Sequence, residues 1–286
     1  MKTGIILFDT YTRWGEKKWE KLREHGFSCA DYGMMGTESG TYLLSEAELE
    51  TFAKRERQQA QAAGVSVSQV HGPWRCPPMD ATPEQRQERM EKMKRSIHTA
   101  ALLGAPNWVI HPLMPWDVTD RLTGRVQETL DINLEFFSRL AEVGRENGVT
   151  VCVENMPFRD FSLSTPEEIL TLVRLVNHPS LKVCLDTGHA AILLGSDVGQ
   201  AVRLLEDELR ALHVHDNDGR GDYHWQPYVG IIDWPGVGTA LQEIGFAGCL
   251  SLETHPSLKL PTPLFEEACV LYRKTAEAIL LSGKPE

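Results

Sequence analysis

The sequence predicts an α/β fold, a single (β/α)8 TIM barrel over residues 1–286, on three observations. Runs rich in β-branched and aromatic residues recur at 4–9, 27–32, 65–71, 107–111, 149–154, 181–186, 210–215 and 248–253. Each is followed by a longer segment of helical periodicity, and eight such units of roughly 30 residues suit a barrel better than a doubly wound sheet. No proline-, glycine- or serine-rich linker divides the chain, and 42% apolar residues are enough to fill one large core.

The first run ends near Phe8, Asp9 and Tyr11, where a polar contact at the barrel rim is expected. After the second run comes a long loop at about 34–44, then a polar helix over 46–63 that stops at Gly64. The third run leads to a helix over 83–103, and the fourth to one over 124–147. In the latter Val126, Leu130, Leu134, Phe137 and Leu140 form one stripe before the stop at Asn147-Gly148. A second long loop, 216–232, follows the seventh run, and a helix over 265–281 closes the chain. Loops 34–44 and 216–232 are candidate lids. Gly26, Gly64, Gly104, Gly148 and Gly245 each fall between a helix and the next strand, where a left-handed helix stop is required. Trp14, Trp19 and Trp108 are expected to pack in the core or helix layer.

A formal net charge of -11 opposes binding to DNA or to an anionic membrane surface. No apolar run of about 18 residues is long enough to cross a bilayer, and the start MKTGIILFDT lacks a signal-peptide pattern, so a soluble cytoplasmic protein is expected. The six cysteines form no CxxC pair, which favours reduced thiols. Cys152 and Cys184 stand two residues before Glu154 and Asp186, and Cys249 four before Glu253, so strand alternation points each thiol into the barrel beneath its carboxylate.

In a barrel of this kind the carboxyl ends of the strands carry the chemistry. Those ends hold His71, His111, Glu154, Asp186 with His189, His213 with His215, and Glu253. So many buried charged groups would be very costly without a cation. Glu154, Asp186, His215 and Glu253 form the preferred metal set. Their carboxylate-rich chemistry suits Mn or Mg and admits Zn or Co. His213 shares the inward parity of His215, and one of the pair would orient the other. Trp74 and Trp116, just past the third and fourth strand ends, are candidate apolar walls for a sugar ring.

The motifs ENMP, DTGHA, HVHDNDG, the later G-x-I-D-W and the final LETH, taken in order, resemble the xylose isomerase-like TIM barrels, which include sugar phosphate isomerases/epimerases and endonuclease IV (AP endonuclease family 2). In ketose 3-epimerases of that superfamily the corresponding Glu, Asp, His and Glu hold one divalent cation, which implies that role for Glu154, Asp186, His215 and Glu253. The resemblance implies His189 as a substrate-oxygen histidine and Arg220 as a substrate-binding arginine, with His71 and His111 as further contacts. Endonuclease IV-like members carry extra ligands for a three-zinc cluster, and His71, His111, His189, Asp222 and His224 are the candidates here.

The expected reaction is proton transfer beside a carbonyl, with Glu154 and Glu253 as base and acid on opposite faces of the carbon. A small sugar or keto-polyol substrate follows, slightly favoured without phosphate because no glycine-rich phosphate loop stands out. A homodimer is a family-level expectation only. A multi-zinc phosphodiester hydrolase and a non-catalytic sugar-binding barrel are the alternatives, and loss of a hydroxyl from a keto-inositol is a variant of the first.

Overall fold

Parallel strands of four to six residues, rich in Val, Ile, Leu and Cys, form one sheet in the order β8-β7-β6-β4-β3-β2-β1-β9. They are β1 Lys2–Ile6, β2 Cys29–Gly33, β3 Ser66–His71, β4 Asn107–Ile110, β6 Thr150–Glu154, β7 Leu181–Asp186, β8 Leu209–His213 and β9 Cys249–Leu252. The computed structural model describes residues 1–7, 10–34, 36, 40–74, 80–255 and 259–282. The short β5, Pro115–Val118, lies outside the eight-stranded sheet. An isolated bridge between Val214 and Leu252 brings β8 to β9 and all but closes the barrel. Val214 N donates to Ser251 O at 2.8 Å and Glu253 N to Val214 O at 3.0 Å.

All eight expected strands are present, shifted by up to three residues at their ends. Phe8 and Asp9, and residues 35 and 37–39 of the candidate lid 34–44, lie outside the described residues. The helices are α1 Lys18–Glu24, α2 Glu46–Ala62, α3 Pro83–Leu103, α4 Asp120–Thr123, α5 Val126–Asn147, α6 Pro166–Val176, α7 Thr187–Leu194, α8 Val198–Leu205, α9 Trp234–Glu243 and α10 Thr262–Leu281, of which α2, α3, α5 and α10 follow the sequence reading. Ser45 and Thr82 close capping boxes with Glu48 and Gln85, which explains why α2 and α3 begin where they do. At the other end of α3, Gly104 takes φ 79°, the left-handed conformation that glycine adopts without a Cβ clash.

One helix face departs from expectation. Val126 is exposed on α5 and Leu130 and Leu134 are only half-buried, whereas Thr129, Asn133, Phe136, Phe137 and Leu140 face inward. The Asn133 side chain decides the rotation: its amide accepts from Leu113 N at 2.8 Å and donates to Leu113 O at 3.0 Å, pinning the loop beyond β4. A hydropathy stripe misses this because the buried face contains a polar residue that is fully hydrogen-bonded.

Within the barrel, Val109, Cys152, Cys184 and Ala211 pack as a small core cluster beneath the carboxylates, as the parity of Cys152 and Cys184 requires. Trp19 and Trp108 are buried and Trp14 packs against the core. At the barrel floor Cys29 and Cys249 face one another, their Cα atoms 7.3 Å apart, a span wider than an ordinary disulfide takes. They meet over Gly4 of the intervening β1, where an added Cβ would lie 2.7 Å from Cys249 Sγ. Cys152, Cys184 and Cys269 are free and buried. No helix among the described residues is long and apolar enough to cross a membrane.

Candidate active site

Strand alternation and the parallel sheet bring the predicted residues to one mouth. Glu154 ends β6 and Asp186 ends β7, His213 ends β8, and Glu253 directly follows β9. One ligand atom from each of these four lies within 4.8 Å of the others, and all four side chains are buried; His215, the imidazole expected in this set, groups instead with Asp186 and His189. A cavity of about 220 Å³ opens above them, with Trp74, Met156, Pro157 and Phe158 on its apolar side and His71, His111, His189, Asp222, His224 and His255 among its polar lining.

The two histidines of HVH divide their work. His215 Nε2 lies 2.9 Å from Asp186 Oδ1, and its ring fits only because residue 188 is glycine: a Cβ there would stand 1.9 Å from a ring carbon. His213 reaches deeper, with Nδ1 at 2.9 Å from Glu154 Oε1 and 3.3 Å from Glu253 Oε2. Its Nε2 faces Asp31 Oδ2 at 3.0 Å.

Glu154 presents its second oxygen to His111 Nε2 at 3.3 Å and to His71 Nε2 at 3.6 Å. That Oε2 is buried without a hydrogen-bond partner, as is Nδ1 of His215. Buried polar atoms of native proteins are nearly always satisfied, so each of these orphan atoms fits a position where a further group binds. On the outer side, His189 Nε2 and His224 Nε2 approach the two oxygens of Asp222 at 3.3 Å each. His189 is aimed by its other nitrogen, which meets Asn155 O at 2.8 Å.

The electrostatics follow from this crowding. Burial disfavours the Glu154 carboxylate, but the His213 and His111 imidazoles overcome it and hold the group well below the usual range. Burial pulls His111 down, which keeps it neutral, the form that ligates metal. Burial likewise opposes a charged His189, yet the Asp186 and Asp222 carboxylates push it up to about 10. His224 rises to about 9, with Asp222 the main influence against burial.

The loop expected as a lid after β8 is a built wall. Asp216 exchanges backbone bonds with Trp225 at 2.8 and 2.9 Å, and its buried carboxylate accepts from Trp234 Nε1 at 2.8 Å. The wall carries Asp222 and His224 into the mouth, His224 with a left-handed φ of 49°. Trp74 reaches the cavity, its ring edge-on to His111 with centroids 6.0 Å apart. Two expected contacts do not reach it. Trp116 packs beneath the Arg125 guanidinium, 4.0 Å from its ring centroid, because the chain turns away into β5. Arg220 is exposed at the tip of a turn whose backbone is tied to Asp218.

Sequence reasoning missed Asp31 and His255. Asp31 had a signal: Cys29-Ala-Asp31 repeats the spacing of Cys152-Val-Glu154 and Cys184-Leu-Asp186. His255 sits outside any strand, stacked on His224 with centroids 4.5 Å apart, and no periodicity marks it.

Comparison with known proteins agrees with this architecture. A family model described as xylose isomerase-like TIM barrel matches residues 19–274, and the chain belongs to that family. The protein MJ1311 of Methanocaldococcus jannaschii is 28% identical over 270 residues, spanning 90% of this chain and 86% of that one. A D-psicose 3-epimerase of Ruminiclostridium cellulolyticum is 31% identical over 122 residues, 42% of this chain and 40% of that one. The crystal structure of a D-tagatose 3-epimerase-like protein superposes with a TM-score of 0.76 at 25% identity, over 97% of this chain and 99% of the other.

Proposed function

We propose that this xylose isomerase-like barrel is a sugar isomerase or epimerase that moves a proton beside a carbonyl, with a divalent cation held by Glu154, Asp186, His215 and Glu253. The observation that carries the reading is the buried convergence of Glu154, Asp186, Glu253 and the His213 imidazole beneath a cavity of about 220 Å³, with His215 set against Asp186 and Glu154 Oε2 left unpartnered. The epimerase relatives named above support the substrate class.

When bound, the cation would supply Lewis acidity that makes the C–H beside a carbonyl easier to ionise. The chain's own groups do the rest. Glu154 and Glu253 come from β6 and the end of β9, and their carboxylate oxygens stand ready to take a proton from one face of the carbon and return one to the other. His189, fixed by Asn155 O, offers Nε2 to a substrate oxygen. Trp74, Met156, Pro157 and Phe158 exclude water from one side of the cavity, which strengthens each electrostatic interaction within it. The cavity volume suits a single small polyol or sugar.

A second reading rests on the histidines around Glu154 and Asp222. His71 and His111 on one oxygen of Glu154, with His189 and His224 on Asp222, would accommodate two further zinc ions and support phosphodiester hydrolysis. Metal content per chain of gently purified protein, followed by turnover of a ketose panel with Mn or Mg restored, separates the two. One ion with ketose turnover supports the isomerase or epimerase; two or three zinc ions with phosphodiester cleavage overturn it.

A further inference from the structure

We propose that Asp31, acting through His213, is a positioning residue for the cation site, setting where Glu154 and Glu253 stand. The inference rests on the cation reading above and extends it to a residue two strands from the Glu253 strand and three from that of Glu154. Asp31 is fully buried in β2, and its Oδ2 accepts from Gln69 Nε2 at 2.8 Å and meets His213 Nε2 at 3.0 Å. From there the imidazole crosses the barrel interior, so that its other nitrogen reaches Glu154 Oε1 on β6 at 2.9 Å and Glu253 Oε2 beyond β9 at 3.3 Å. One ring thus ties three strands to a single point.

The backbone is adapted to this contact. The β2–β3 register slips between Ala30 and Asp31, pairing Ala30 with Val67 but Asp31 with Gln69. Such an irregularity re-aims side chains and is common beside active sites. Here it sets Gln69 opposite Asp31, so that the two side chains bond inside the barrel, while the skipped Ser68 bonds Ala30 O at 3.0 Å. Gln69 also donates to Leu212 O at 3.2 Å, the residue before His213, so the same amide braces both partners. The ring is further held by stacking on His71, with centroids 5.4 Å apart and planes 7° from parallel. A buried carboxylate is costly unless its charge is used, and its charge here falls on the imidazole that meets both glutamates. A carboxylate behind a histidine at a metal site fixes the ring and tunes its neighbours, and removing such a partner typically lowers metal affinity about 10- to 100-fold.

The test is Co²⁺ binding to the full-length chain, read by titration and by the visible absorption of the bound ion, which reports coordination geometry. Asp31→Asn, His213→Gln and the double variant are compared with wild type, each first checked for a native circular-dichroism spectrum. Asp31→Asn is expected to weaken Co²⁺ binding by about 10- to 100-fold and to shift the absorption bands. The double variant should bind no more weakly than His213→Gln, because Asp31 acts through that ring. Should Asp31→Asn fail to fold, His213→Gln carries the test alone. A folded Asp31→Asn or His213→Gln with wild-type affinity and spectrum overturns the inference, as does full additivity in the double variant. Wild-type protein that takes up no Co²⁺ overturns the cation reading itself, a separate and recognisable failure.

Discussion

The two ends of the barrel are built from the same strands and solve opposite problems. At the floor, Cys29 and Cys249 close over Gly4 and the strands begin among glycine stops; the side chains there are small and tie the sheet together. Toward the mouth β2 carries Asp31, and the other strands end in His71, Glu154, Asp186 and His213, groups that oppose burial and are nevertheless buried. Between them lies the apolar layer of Val109, Cys152, Cys184 and Ala211. Stability is concentrated below and chemistry above, so substitutions at the two ends should separate cleanly in what they change.

The largest effect should come from the mouth. Glu253→Gln removes a ligand charge and a proton acceptor together, and Glu154→Gln does the same from across the site. Each is expected to lower ketose turnover by about 10²- to 10⁴-fold while leaving the melting temperature near wild type. Retained turnover in either variant would sink the proton-transfer assignment. Gly188→Ala comes next, since the new methyl group would drive into the His215 ring. Loss of metal binding with a destabilisation of about 1–3 kcal/mol is expected, measured by titration and denaturant unfolding.

A smaller effect concerns pH in metal-stripped protein. The folded-state values of His189 and His224 stand at about 10 and about 9, above the unfolded value near 6.5. Their pairing with carboxylates therefore contributes stability fully below about pH 6.5 and loses it as pH rises through 9 to 10. The melting temperature should fall over that window, and a flat profile would contradict the geometry around Asp222. The smallest effect on activity belongs to the floor: Cys29→Ser should leave turnover unchanged. A bond between Cys29 and Cys249 would take two thiols from the six in the sequence, which thiol titration of unfolded, unreduced wild type checks. A count of six would remove the bridge and restore the contrast to packing alone.

The barrel was legible because its signals are local and repeated. Eight apolar runs, the helix stops at Gly104 and Gly148, and the polar ends of the strands each follow from residue type and spacing. The grouping of Glu154, Asp186 and Glu253 was legible for the same reason, since parallel strands bring equivalent ends together, whereas the imidazole that joins them is His213 and not the expected His215. Trp116 and Arg220 went astray because loops, unlike strands, do not hold their side chains to an alternating rule; the chain after Ile110 turns into β5 and takes Trp116 to Arg125. Asp31 went unread despite its shared Cys-x-Asp spacing because it lies within β2 and not at its end, and the inward face of α5 was hidden by a polar residue, Asn133, where hydropathy looks for leucine.

The bridge that closes the barrel joins Val214 to Leu252, and its two hydrogen bonds belong to the amides of Val214 and Glu253. Val214 lies between His213 and His215, and Glu253 is itself one of the convergent carboxylates. Closure of the cylinder and assembly of the mouth are therefore one event. In the time domain, the exchange of those two amide hydrogens with solvent deuterium would act as a clock for the seam: slow when the mouth is filled, faster when it is empty, and readable without any knowledge of the substrate.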